Sequence, residues 1–185
     1  SVLPLFTGTD RQNISIANLL CHTAGFPPHK PFYHHLSLLP PEPERRETLL
    51  RMVAAEPLVC LPGQKVIYSD LGYMTLRGVV EAVTRERLDR FAARALYQPL
   101  GLADLFFVDR YDRRSRGSRK FAATEACSRR RILLKGEVHD DNAYEAGGVD
   151  GQAGLFGTAR SVAGFLAELL AVYHGGEGQY LLSRQ

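Results

Sequence analysis

Three residue types that can move protons stand side by side at Tyr68-Ser69-Asp70. A Pro-Gly pair at positions 62–63 closes the preceding segment, and the apolar run after position 70 looks helical, so Asp70 is well suited to cap a helix. A tyrosine just before a helix N-terminus feels the positive end of the helix dipole, which favours phenolate over phenol. Tyr68 can therefore act as a general base. The alternative is that Tyr68 packs in a core and Asp70 only caps, and the tripeptide alone leaves both interpretations open.

Four further blocks of sequence accompany this tripeptide. They read ISIANLLCHTAGFP at 14–27, QPLGL at 98–102, GEVHDDNA at 136–143 and GQAGLFGTA at 151–159. In this order and spacing they resemble the serine β-lactamase-related family, which joins class C β-lactamases, D,D-peptidases and related esterases. The family pattern reads roughly I-T-I-x-x-L-L-T-H-T-S-G-L, P-G-x-x-x-x-Y-S-N, P-L-G-M and G-H-A-G-L-F-S-T-A. The resemblance extends from about residue 3 to about residue 170.

The resemblance implies acyl transfer through a serine ester. Tyr68 matches the family tyrosine, which takes the proton of the serine nucleophile and later delivers it to the leaving group. Asp70 stands where the family usually has asparagine, and an ionised aspartate only accepts hydrogen bonds whereas an amide also donates. This departure favours an esterase or peptidase over a β-lactamase. Gln152 and Ala24 also replace residues that are common in the family, a histidine and a serine.

The family nucleophile itself is not in the sequence. No serine is followed three residues later by lysine, and the lysine-containing K-T-G-like strand is absent too. We therefore expect the chain to be the central part of a longer hydrolase and to be inactive alone. The alternative is a non-catalytic binding or interaction domain derived from the same fold.

Histidines at three places in the sequence could in principle cap a helix, bind a metal or join a catalytic triad. His22 lies late in a predicted helix and is interpreted as a core or capping residue. The pair at 34–35 lacks a third ligand at suitable spacing, so no metal site and no cofactor are predicted. His139 precedes Asp140, but the side chains of adjacent residues diverge, which favours a turn held by Asp140 and Asn142 over a catalytic triad.

That turn leads into a glycine-rich stretch, GGVDG at 147–151. Its backbone freedom would allow it to lie against a substrate, so Gly148 and Gly151 join Asp70 as predicted substrate-binding residues. The substrate expected from the resemblance is a small molecule or a peptidoglycan-like peptide.

Composition is ordinary for a globular protein. The 185 residues are 45% apolar and 23% charged, with a net charge of +3, too small to imply a nucleic-acid partner. There is no run of eighteen apolar residues, so no membrane span is predicted. Three cysteines without C-x-x-C spacing suggest neither zinc nor a disulfide framework. The compartment stays undecided: periplasm or cell envelope if the chain follows exported family members, cytoplasm otherwise.

The predicted fold is mainly α with short strands. It corresponds to the helical subdomain of a β-lactamase/transpeptidase-like α/β fold that lacks the main antiparallel sheet, and it occupies residues 1–185 as a single domain. Apolar surface left uncovered makes self-association plausible. The first predicted helix is capped by Ser15, carries Ile16, Leu19 and Leu20, and is ended by Gly25. Further helices are predicted at 44–56, 70–83 and 88–96, and a last one is capped by Thr158. Strands are predicted at 105–108 and 132–134, and an extended loop at 26–43.

The segment 110–131 is strongly basic. It carries eight arginines and one lysine against two acidic residues. The predicted structure is a mobile, solvated excursion between the two strands. The alternative is a site for anionic partners such as cell-wall polymers or nucleic acid.

Overall fold

The computed structural model describes residues 2–41 and 44–176. Helices predominate within these residues, and strands are few and short. The α-helices are α1 (Ile16–Leu20), α2 (Tyr33–Leu36), α3 (Glu44–Ala55), α4 (Asp70–Thr84), α5 (Leu88–Ala92), α6 (Asp141–Glu145) and α7 (Ala159–Tyr173). The strands are β1 (Phe106–Phe107), β2 (Ala123–Cys127), β3 (Ile132–Lys135) and β4 (Leu155–Phe156). The predicted mainly helical fold is confirmed.

Helix α1 begins as its sequence predicts. Ser15 Oγ accepts a hydrogen bond from Asn18 N, and Asn18 Oδ1 accepts one from Ser15 N, which forms a capping box. The prediction that Gly25 ends this helix is wrong, since α1 stops at Leu20. Gly25 is required for another reason: a Cβ there would lie 2.2 Å from the carbonyl oxygen of Cys60.

The proline-rich stretch after α1 is not wholly extended as predicted, because it contains the short helix α2. Leu36 at the end of this helix is completely buried in the main core, so tertiary packing overrides the local proline signal. Pro43, the last residue of the predicted loop, lies outside the described residues.

Helices α3 and α4 build the main core. Leu49 and Val53 of α3 pack in one apolar cluster with Leu71 and Met74 of α4, and all four are fully buried. Both helices lie close to their predicted bounds, since the apolar residues of each recur at helical spacing. This packing fixes α4, whose N-terminus carries the Tyr68-Ser69-Asp70 tripeptide.

Sheets within the described residues are limited to two antiparallel pairs. Strand β1 pairs with β4, and Phe106 faces Phe156. Strand β2 forms a hairpin with β3; β2 lies within the basic segment 110–131, and β3 follows it. Strands β2 and β4 were not predicted from the sequence. The expected absence of a large antiparallel sheet agrees with this architecture. The mobility of residues 110–131 stays a prediction.

The last helix, α7, begins at its predicted cap, where Thr158 Oγ1 accepts a hydrogen bond from Ser161 N. Its apolar face is only partly covered, with Leu166 51% exposed and Tyr173 83% exposed. Self-association through such surface stays a prediction. No helix in the described part of the chain is long and apolar enough to cross a membrane.

Candidate active site

Two motif segments that are distant in sequence lie side by side and build the site. Ile67 N donates to His22 O at 2.8 Å, and Asp70 N donates to Pro28 O at 3.0 Å. The segment after α1 therefore runs along the segment before α4. These backbone hydrogen bonds lie on both sides of Tyr68, so they fix the position of its backbone without any bond from its side chain.

Ser69, not Asp70, occupies the N-cap position of α4, so the predicted capping role of Asp70 is wrong. Ser69 has extended dihedral angles and makes no side-chain cap, because its hydroxyl donates to Pro27 O at 2.7 Å. Asp70 is the first helical residue, where a carboxylate is stabilised by the positive end of the helix. The buried, hydrogen-bonded hydroxyl of Ser69 is poorly suited to act as a nucleophile.

Tyr68 stands at the surface of a pocket of about 220 Å³. The alternative that it packs in a core is wrong, because 72% of the residue is exposed. Its hydroxyl has no hydrogen-bond partner among the described residues, so the oxygen is available to a substrate. The pocket is lined by His22, Tyr68, Ser69, Asp70, Tyr73, Gly151 and Gln152.

His22 forms the floor beneath Tyr68. Its ring centroid lies 4.5 Å from that of Tyr68 and 5.1 Å from that of Tyr73. Its Nδ1 accepts a hydrogen bond from Ser69 N at 3.2 Å, which leaves Nε2 as the protonated nitrogen of the neutral ring. The interpretation of His22 as a cap is wrong, because Cys21 is the C-cap of α1. His22 is only half-buried, outside the core, and its ring packs against those of Tyr68 and Tyr73.

Asp70 is paired with a histidine that the sequence analysis did not single out. Asp70 Oδ2 lies 3.0 Å from Nδ1 of His29, which comes from the proline-rich segment. The pair is partly exposed, so it orients the carboxylate more than it stabilises the fold. Asp70 thus lies in the pocket as an acceptor with a neighbouring imidazole.

The opposite wall comes from the glycine-rich segment. Gly151 lies so close to α4 that a Cβ would be 2.0 Å from Tyr73 O, and Gln152 follows it into the pocket. Gly148 lies elsewhere: a Cβ there would be 2.5 Å from Val108 O, and the residue lines a different cavity. The structure therefore brings together Tyr68, Asp70 and Gly151 and leaves Gly148 outside.

His139 and Asp140 do not form a triad, as expected. His139 Nε2 lies 3.0 Å from Glu125 Oε2, whereas Asp140 caps α6 by accepting a hydrogen bond from Ala143 N. Burial raises the pKa of Asp140, against the hydrogen bonds from Ala143 and Gln152, and the nearby carboxylates of Asp70 and Asp150 add to the rise. Asn142 joins distant segments by donating to Lys30 O and accepting from Tyr33 N.

Of the residues that sequence reasoning missed here, only Tyr73 had a usable signal. It lies three positions after Asp70 on the same helix, so the two share a face. His29 lies 41 positions before Asp70, a separation that no local pattern reveals. The described residues contain no group of three histidine, cysteine or acidic side chains placed to hold a metal ion. The histidine pair at 34–35 is therefore not part of such a group.

Comparisons with known proteins show the family and the fold of the chain. The sequence profile of the family described as Beta-lactamase matches residues 1–184. A protein of Escherichia coli (strain K12) named as a D-alanyl-D-alanine carboxypeptidase is 33% identical over 172 residues, covering 86% of this chain and 39% of that relative. The chain thus spans about two fifths of the length of this relative.

Two solved structures share the fold. The octameric penicillin-binding protein homologue from Pyrococcus abyssi aligns with a TM-score of 0.61 at 15% identity, covering 90% of this chain and 36% of that one. A class C beta-lactamase mutant aligns with a TM-score of 0.61 at 12% identity, covering 96% and 44%. With the profile match over nearly the whole length, the chain belongs to the Beta-lactamase family.

Proposed function

We propose that this chain carries the proton-transfer tyrosine and one substrate-binding wall of a serine hydrolase that works through an acyl-enzyme. The observation that carries the proposal is the placement of Tyr68. The residue is largely exposed beside the N-terminus of α4, in a pocket that also holds Asp70 and Gly151. A phenol held there can take the proton of an attacking serine hydroxyl and return it to the leaving group.

The nucleophile of the proposed reaction is a serine outside these 185 residues. Ser69 is the serine of the pocket wall, and its hydroxyl is committed to Pro27 O. A Ser-x-x-Lys segment in a longer protein would supply the serine that attacks the substrate carbonyl and the lysine that helps to deprotonate it. The substrate class is an ester, peptide or β-lactam carbonyl, and the carboxypeptidase-named relative favours a peptidoglycan-like peptide.

A second candidate is a non-catalytic binding domain. It is favoured by the same hydrogen bond of Ser69, since a pocket without an available nucleophile can bind but not acylate. The chain alone is expected to form no stoichiometric serine adduct with a fluorescent penicillin or a fluorophosphonate, as read by intact mass. A site-specific serine adduct on this chain would contradict the assignment of the nucleophile to another segment.

The decisive experiment is Tyr68→Phe in a longer protein that joins this chain to a Ser-x-x-Lys segment. Because the residue is largely exposed, the change should leave the melting temperature unaltered. Ester hydrolysis should fall roughly 10²–10⁴-fold, the usual range for loss of a general acid/base.

Tyr73→Phe is the matched control. Tyr73 lines the same pocket and also contacts the ring of His22, but its hydroxyl makes only a long hydrogen bond to Leu20 O, at 3.4 Å. This variant should keep most of the activity. Full activity of Tyr68→Phe, or equal losses in both variants, would end the proposal and leave the binding domain as the better account.

A further inference from the structure

A second and larger cavity lies apart from the Tyr68 pocket. It has a volume of about 500 Å³, within the usual size range for a small-molecule site. Its wall includes Arg110, Arg116 and Glu137, together with the ring-bearing Tyr144 and the backbone at Gly148. None of its lining residues lines the Tyr68 pocket.

Arg110 carries a positive charge that the protein neutralises only in part. Its Nη1 lies 3.2 Å from Glu145 Oε2, but the same carboxylate also binds Arg45 and Arg129. The charge of Glu145 is therefore divided among three guanidinium groups, of which Arg129 also pairs with Asp141. Arg110 is held in place by the ring of Tyr144, whose centroid lies 3.9 Å from its Cζ.

Arg116 provides the second cation of the cavity. Its Nη2 donates to Lys135 O at 2.8 Å, and no carboxylate among the described residues pairs with it. The guanidinium passes directly over Gly136, where a Cβ would lie 2.9 Å from Nη2. Since a guanidinium has five N–H donors, Arg116 keeps donors for a ligand.

The two acidic residues of the cavity differ in their availability. Asp109 is already bound, with Oδ2 accepting from Arg87 and Oδ1 accepting from Tyr111 N. Glu137 pairs with no cation in the described part of the chain, and its Oε2 is buried without a hydrogen-bond partner. A buried acceptor left without a donor is destabilising, and the charge of this carboxylate is uncompensated. Because Glu137 lines the cavity, a cation that reaches it from there would compensate that charge.

We propose that this cavity binds a small zwitterion, namely a free α-amino acid or a short peptide with both termini unblocked. The ligand carboxylate lies between Arg110 and Arg116, and its ammonium group donates to Glu137. Charge-assisted hydrogen bonds at both ends make this match stronger than that of a simple anion or a simple amine. The inference is independent of the proposed hydrolase chemistry, because it uses no residue of the Tyr68 pocket.

The test is a set of calorimetric or NMR titrations of the chain with alanine, with alanyl-alanine, with acetate and with ethylamine. Alanine or alanyl-alanine should bind at least tenfold more tightly than acetate or ethylamine, and comparison of the two shows whether the site takes the free amino acid or the peptide. In Glu137→Gln, zwitterion binding should fall about tenfold or more, while acetate binding holds or strengthens, because the repelling charge is gone.

Arg116→Gln should weaken the binding of acetate and of the zwitterion together. Arg114→Gln is the matched control: Arg114 belongs to the same basic segment, pairs with Asp112 and does not line the cavity. Zwitterions that bind the unaltered chain no better than acetate overturn the proposal. Unchanged alanine binding in Glu137→Gln, or an equal loss in Arg114→Gln, overturns it too.

Discussion

At the scale of single residues, Tyr68 and Asp70 owe their setting to different neighbours. Tyr68 rests on the ring of His22, which is itself fixed by the hydrogen bond from Ser69 N. Asp70 is oriented by His29 from a separate segment. The tyrosine is thus supported from below while its oxygen stays accessible, and the carboxylate is presented as an acceptor.

The acceptor character of Asp70 leads to a specificity prediction. In the longer hydrolase proposed above, Asp70→Asn restores a side-chain donor and should shift preference from an ester toward an amide or β-lactam by about tenfold, the worth of roughly one hydrogen bond. The measurement is the ratio of kcat/KM values on the two substrate types. Turnover should be retained.

His29→Gln is the matched control for this shift, because it breaks the same carboxylate–imidazole contact and leaves the carboxylate in place. We expect no comparable change in preference from it. An equal shift in both variants would attribute the effect to the lost pair and count against the donor explanation.

At the scale of elements, helix α4 is the platform of the site. Its apolar face is anchored by Leu71 and Met74 in the core, and its N-terminus presents Asp70. The glycine-rich segment packs directly on its backbone at Gly151. The distance between the two walls of the pocket therefore depends on a contact that only glycine permits.

Two glycine-to-alanine changes test this contact. Gly151→Ala would place a Cβ 2.0 Å from Tyr73 O, so the segment must move, and the free energy of unfolding should fall by about 1–3 kcal/mol or more. Gly72→Ala, within α4, would place its Cβ 3.6 Å from Leu19 O, an ordinary contact. It should be neutral or stabilising by up to about 1 kcal/mol, since alanine is the better helix former.

Urea unfolding of both variants gives the measurement. A Gly151→Ala protein as stable as Gly72→Ala would mean that the glycine-rich segment can withdraw from α4 without loss. The structural role assigned to Gly151 would then be wrong.

At the scale of the whole molecule, buried ion pairs tie the glycine-rich segment to the helical core. Arg77 of α4 binds Asp150 through Nε at 2.9 Å, and both side chains are almost completely buried. Arg77 also binds Glu81, which in turn binds Arg46 of α3. Burial lowers the pKa of Arg77, but Asp150 and Glu81 raise it above its ordinary value, so the guanidinium stays charged.

Removing one partner of this pair should destabilise the entire chain. Asp150→Ala removes one of the two carboxylates that bind the buried Arg77 at 2.9 Å and leaves it with Glu81 alone. Breaking a buried pair in this way should lower the free energy of unfolding by up to about 3–5 kcal/mol. Chemical or thermal unfolding measures the change. Replacing both partners, with Arg77→Met and Asp150→Leu, should recover part of the stability because neither charge of this pair then remains buried.

The exposed pair of Arg94 and Glu86 provides the comparison. Because water screens it, Arg94→Ala should change stability little. If Asp150→Ala proves as mild as Arg94→Ala, the buried network does not hold the glycine-rich segment in place.

The sequence by itself determined the features that depend on a few neighbouring residues. The caps at Ser15 and Thr158 were predictable from residue type, and α3 and α4 from apolar residues at helical spacing. The family followed from the order of its sequence motifs along the chain, and that resemblance singled out Tyr68 as a candidate catalytic residue. These signals depend on residues close together in sequence, so they can be recognised without knowing the tertiary structure.

Only the tertiary structure decided which residues meet. His22 and Ser69 are 47 positions apart, and nothing near either one reveals their hydrogen bond. Helix α2 forms in a proline-rich stretch because Leu36 is buried in the core, and Gly148 lies outside the pocket because it packs on Val108 O. Burial and long-range contact depend on how the whole chain packs, and that packing is set by many weak interactions together rather than by any single segment.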